Sequence, residues 1–236
     1  MKLLFLFLVL LALGSAHRHH RHRGPKKLVK VITVNGPKGG ARDFHKSSSS
    51  SSSEEIEEEK KCAPGWLSFQ RDIGLWCVLV GNKGSKSHHL SQPDAETICR
   101  QHGATLTGLQ NDEERKEIAS EALHQLGELK VEYGGVWLGA ETNSNCKTTS
   151  CGPLKTFKWT DGHTTGTDGF TWGTDEPDDE DWHGKHACLQ QIVMTKTFPM
   201  SKHEAWLDSF QNGELDKTKC DKDNYMTRLY ACGKLA

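Results

Sequence analysis

The run Phe157-Lys158-Trp159-Thr160-Asp161-Gly162, continued by Phe170-Thr171-Trp172 and Glu176-Pro177-Asp178, decides how this 236-residue chain is read. It lies in a span from Glu141 to Ala187 with almost no hydrophobic period but much Gly, Thr, Asp and Trp. Loops longer than about 15 residues with no secondary structure are uncommon in compact domains, and most of them carry function. Such a loop needs a scaffold, and the flanking sequence supplies one.

Upstream, Trp66-Leu67-Ser68-Phe69 and Trp76-Cys77-Val78-Leu79-Val80 predict two short strands joined by a Gly-containing turn. A helix follows from about Pro93 to His102, with Ala95, Ile98, Cys99 and His102 on one face and Gly103 as its stop. A second helix starts at Asn111, with Glu114 as capping-box partner and Ile118, Ala119, Ala122, Leu123 and Leu126 as its buried stripe. Val136-Trp137-Leu138 reads as a central strand. Downstream, strand signals return at Cys188–Val193, Ala205–Leu207 and Leu229–Cys232. The fold class is α+β: two helices, several short antiparallel strands and one long irregular loop system.

All seven tryptophans and all eight cysteines lie beyond residue 61. What precedes that point has a different composition. Lys2, the apolar run Leu3–Leu13 and the small residues Gly14-Ser15-Ala16 form a secretory signal, with the mature chain expected to begin near His17. An eleven-residue run rises only about 16 Å as a helix, too little to span a bilayer. Residues 17–61 combine a His/Arg cluster, a Gly/Pro stretch, seven consecutive serines and an acidic run. That mixture buries too little apolar area to offset ordering entropy, so it reads as a disordered arm. The expected division is therefore signal 1–16, arm 17–61 and one domain 62–236.

The net charge of −1 hides local charges of +8 over residues 17–46, −3 over 47–61 and −7 over 62–236. The composition excludes a polytopic membrane protein and a uniformly nucleic-acid-binding one. Eight cysteines in a secreted chain read as a disulfide framework, and no Cys-x-x-Cys favours zinc. Spacing alone leaves the connectivity open among 105 pairings.

Taken in order, Cys62-Ala-Pro-Gly-Trp66, Trp76-Cys77, the Cys99 helix, Ala104-Thr105-Leu106, Asn111-Asp112-Glu113-Glu114 and Val136-Trp137-Leu138-Gly139 resemble the C-type lectin-like domain. The resemblance continues through the Trp159 and Trp172 motifs, Glu176-Pro177-Asp178, Cys188, Trp206-Leu207-Asp208, Cys220 and Tyr230-Ala231-Cys232. It covers essentially all of 62–236, and with the leader and Ser-rich arm it looks like the secreted lectin-like proteins of nematodes. It implies the bridges Cys99–Cys232, Cys188–Cys220 and Cys62–Cys77, the last as in the long form of the fold, and leaves Cys146 with Cys151. It also implies carbohydrate as partner and calcium as cofactor, held by oxygens that also contact sugar hydroxyls.

On that pattern the calcium ligands are Glu176, Asp178 and Asp208, three carboxylates against five liganding residues in the full set. Leu207 stands where an asparagine is expected and His186 where a further glutamate is. The acidic run Asp178-Asp179-Glu180-Asp181 offers substitute oxygens, so weak calcium-dependent sugar recognition is the leading reading. The alternative is a calcium-independent module of the same fold that binds a protein or lipid surface, with Trp159, Trp172 and Trp182 as contacts. Asp181, His183 and His186 have a spacing a transition metal uses. No nucleophile elbow or complete zinc-hydrolase motif occurs, so no catalytic residue is assigned and the chain is not read as an enzyme.

The arm carries readings of its own. His17–Arg23 is basic enough for anionic surfaces, and more so as its histidines protonate. A cut after Ala16 makes His19 the third residue, resembling an amino-terminal copper(II) site. Ser52 and Ser53 precede acids as secretory-pathway kinase sites do.

Overall fold

A computed structural model describes residues 60–146, 151–178, 186–195, 201, 203–221 and 225–236. Backbone contacts divide the chain into Met1–Glu54 and Glu55–Ala236, and every described residue belongs to the second unit. The readings placed on the arm, on Asp179–Asp181, on Trp182 and on His183 therefore fall outside the described residues.

The hairpin expected at the start is β1 (Leu67–Arg71) and β2 (Gly74–Asn82), paired antiparallel about Arg71↔Gly74. Helix α1 (Gln92–Gln101) is capped by the Ser91 hydroxyl, which accepts the Asp94 N–H, and has Pro93 in its first turn. Ala95 and Cys99 are buried as the stripe requires, while His102 at the helix end is exposed. Strand β3 (Thr105–Leu106) leads into α2 (Asp112–Glu128), whose buried face is Ile118, Ala119, Ala122 and Leu126. Asn111 caps it by accepting the Glu114 N–H. The Glu114 side chain departs from a capping box: it accepts from the Gln110 N–H and from Arg71, at 2.6 and 2.8 Å, in an ion pair whose partners are each 2% exposed.

The central strand β4 (Tyr133–Thr142) is buried along nearly its whole length because it has neighbours on both edges, β8 (Thr227–Leu235) parallel and β6 (Cys188–Met194) antiparallel. The short helical turn α3 (Pro153–Thr156) feeds β5 (Phe157–Trp159), which pairs with β4, and β7 (Leu215–Thr218) extends the sheet beyond β6. The strand order is β1-β2-β8-β4-β6-β7, with β3 on β8. Gly139 is required here: a Cβ on it would lie 2.1 Å from the Leu106 carbonyl oxygen, a backbone atom unable to yield.

Four disulfides tie the frame together: Cys62–Cys77, Cys99–Cys232, Cys146–Cys151 and Cys188–Cys220. Cys99–Cys232 joins α1 to the last strand, and Cys188–Cys220 joins β6 to the residue two beyond β7.

The structure adds β3, and α3 and β5 within the span read as irregular loop. The β4–β8 pair is parallel where only antiparallel pairing was expected. Two further elements differ from the sequence reading. Ala205–Leu207 is not a strand but part of a 3-10 turn, Ala205–Ser209, because Trp206 and Leu207 pack sideways onto Ile192, Met194, Phe210 and Met226. Conversely, β7 is a strand that its sequence Leu-Asp-Lys-Thr did not announce. It has one apolar residue and owes its conformation to pairing with β6, from Cys188↔Thr218 to Gln191↔Leu215.

Candidate functional site

The long loop is strapped to β7 rather than hanging free. Leu215 N–H donates to the Thr171 carbonyl at 2.8 Å, Gly173 N–H to Leu215 at 3.2 Å and Thr174 N–H to Ser209 at 2.7 Å. Phe157, Trp172, Phe170 and Trp159 form a partly buried aromatic stack beneath this segment, so Trp159 and Trp172 serve packing more than contact. Asp175 then turns through positive φ, and a cis bond joins Glu176 to the buried Pro177. The strap delivers Glu176 and Asp178 to the edge of β7, beside Asp216 and Lys217.

These four side chains form one network. Lys217 Nζ lies 2.6 Å from Asp178 Oδ1, and the lysine side chain is only 7% exposed against 36% for the aspartate. Glu176 Oε2 accepts the Asp178 N–H at 3.1 Å, and the same carboxylate accepts the backbone N–H of Lys217. Asp216 Oδ2 accepts from Gln190 Nε2 at 2.7 Å, across the β6–β7 pair. Burial pushes the Glu176 carboxyl up to about 7, against the hydrogen bonds that favour its ionised form. Asp216 is pushed up to about 8, first by burial and then by the charge of Glu176, with Lys217 opposing.

Of the residues singled out from sequence, Glu176 and Asp178 are brought together. Asp208 is not part of the network. It lies exposed on the 3-10 turn, whereas the charges acting on Glu176 are those of Asp178 and Lys217, and those acting on Asp216 are those of Glu176, Lys217 and Asp178. Leu207 is fully buried in the core and faces no ligand site. His186 turns the other way: its Nε2 pairs with Glu141 Oε2 at 2.9 Å, while Lys158 holds the other oxygen of Glu141 at 3.0 Å. The His186 hydrogen bond is the main reason the Glu141 carboxyl is held below its ordinary range. His186 also lies beside Cys188 and Cys220, but those sulfurs are bonded to each other and are not metal ligands.

Asp216 and Lys217 are the residues that sequence reading missed. Trp206 drew attention to Leu207 and Asp208, whereas the informative feature is the short approach to Cys220, whose bridge to Cys188 fixes β7 against β6.

Does this set fit calcium? The ion takes six to eight oxygens at about 2.3–2.6 Å, with no cation among them. Here an ammonium is already seated on Asp178, and Glu176 accepts two backbone N–H groups. A divalent ion would have to share Asp178 with a buried positive charge. The described residues do not fit it.

Residues 69–235 match the family model described as C-type lectin domain-containing protein 141/158. The chain belongs to that family. Among curated relatives, C-type lectin domain-containing protein 158 of Caenorhabditis elegans is 32% identical over 96 residues, 37% of this chain and 44% of the relative. The chain thus matches less than half the length of that C-type lectin relative. Similar solved structures include the cow C-type carbohydrate-recognition domain of CD23 in the presence of a GlcNAc2Man3 oligosaccharide, at 16% identity, 75% of this chain, 97% of that one and a TM-score of 0.45. A calcium-independent type II antifreeze protein is similar at 21% identity, 75% of this chain, 95% of that one and a TM-score of 0.43.

Proposed function

We propose that this chain is a secreted lectin-like recognition module that binds carbohydrate at the face built by Glu176, Asp178 and Asp216 over Lys217, by direct hydrogen bonds. The observation that carries the reading is the clustering of three acids from two separate segments at one strapped edge of the sheet. Carboxylate oxygens accept from sugar hydroxyls, and Asp178, about one-third exposed, is the member best placed to do so. Membership of a lectin family supports carbohydrate as the ligand class, and the leader-like N-terminus with four disulfides supports secretion.

A glycan array probed with the full mature protein tests this. A set of related glycans should bind, and Asp178→Ala should lose that binding while circular dichroism shows a folded domain. A folded natural protein that binds no glycan, or a variant that binds the same set equally well, would refute the assignment.

A further inference from the structure

We infer that Lys217 is a built-in counter-ion that does the loop-ordering work of a divalent cation, so that this face is assembled without calcium. Lys217 acts on the Glu176-Pro177-Asp178 turn twice. Its backbone N–H is accepted by Glu176, and its ammonium sits on Asp178 at 2.6 Å. The turn is thereby clamped at both ends by one residue of a regular strand.

That strand is itself fixed. Lys217 is in register with Leu189 of β6, and the Cys188–Cys220 bridge closes the end of the pair. The clamp therefore holds the loop to the sheet, as a metal bridging the two segments would. Charge makes the same point. Glu176, Asp178 and Asp216 are close enough to act on one another; burial holds Glu176 and Asp216 toward their protonated forms, and the carboxylate of Asp178 at this shrouded edge is met by a cation. Lys217 supplies it from a side chain only 7% exposed, where an unpaired ammonium would be strongly disfavoured. A fixed lysine differs from a bound ion in one respect: it does not dissociate. Recognition at this face is then constitutive, insensitive to chelators and to calcium-poor surroundings.

The inference stands whether or not the ligand is a carbohydrate, because its readouts are stability, loop protection and metal binding. The unfolding midpoint of the natural protein should be the same in saturating calcium and in chelator, and calorimetry should detect no calcium binding at the acid cluster. Lys217→Met, which keeps the apolar stem, should lose the protection of residues 173–178 against limited proteolysis, and Lys217→Arg should keep it. Lys217→Asp should acquire a midpoint that rises with calcium, since a fourth carboxylate then replaces the ammonium. A natural protein whose midpoint falls in chelator overturns the inference. So does a Lys217→Met loop as well protected as the natural one, or a Lys217→Asp protein indifferent to calcium.

Discussion

Replacing Asp216 by Asn removes a proton-binding site while keeping side-chain volume and the oxygen that accepts from Gln190 at 2.7 Å. Burial, with the Glu176 charge next, holds the Asp216 carboxyl up at about 8 against an ordinary 3.8. The folded state therefore binds this proton more tightly than the unfolded chain does. The stability it contributes is fully present below about pH 4 and is lost as pH rises through about 8. A difference of that size has a ceiling of about 6 kcal/mol. Asp216 keeps some solvent contact, and screening reduces the penalty to about 2–3 kcal/mol. Asp216→Asn should thus equal the natural protein near pH 4 and exceed its stability by about that amount near pH 9. In melting temperature the gain is roughly 4–12 °C for a domain of this size. A smaller slope should survive in the variant from Glu176, whose carboxyl burial raises to about 7. Urea unfolding across the pH range reads this directly. Parallel curves for the two proteins would refute the buried-acid account.

Three further outcomes follow from the frame. Glu114→Ala strands the Arg71 guanidinium, 2% exposed, and should cost about 3–5 kcal/mol in urea unfolding. Leu207→Asn, which on sequence grounds would supply a calcium oxygen, should instead lower stability by about 3 kcal/mol by burying an amide in an apolar cluster, with no calcium binding gained in calorimetry. Gly139→Ala should cost about 2–3 kcal/mol, visible as a lower melting temperature, because its Cβ meets the Leu106 carbonyl.

The frame was legible because its signals are local. Pro93 at a helix start with Gly103 at its stop, Asn111 before Glu114 and the 118–126 stripe each encode a helix end or a buried face within a few residues. The motifs resembling a lectin-like domain carried the rest of the architecture. The site was only half legible, for two physical reasons. Leu215–Thr218 is a strand through its hydrogen bonds to β6, a long-range cause that a four-residue pattern cannot display. And the tryptophan of Trp206-Leu207-Asp208 belongs to a packed 3-10 turn, so an aromatic landmark pointed to the core when the acid that joins Glu176 is Asp216. Lys217 is a single residue of ordinary type. Its meaning appears only when Asp178 is brought to its ammonium.

This face is held in its ligand-ready shape by a lysine where a calcium-dependent lectin would use a metal. The most direct test of this is calorimetric titration of the best glycan from the array into the mature protein, once in chelator and once in saturating calcium. The account predicts the same affinity in both. Affinity lost in chelator and restored by calcium would contradict it.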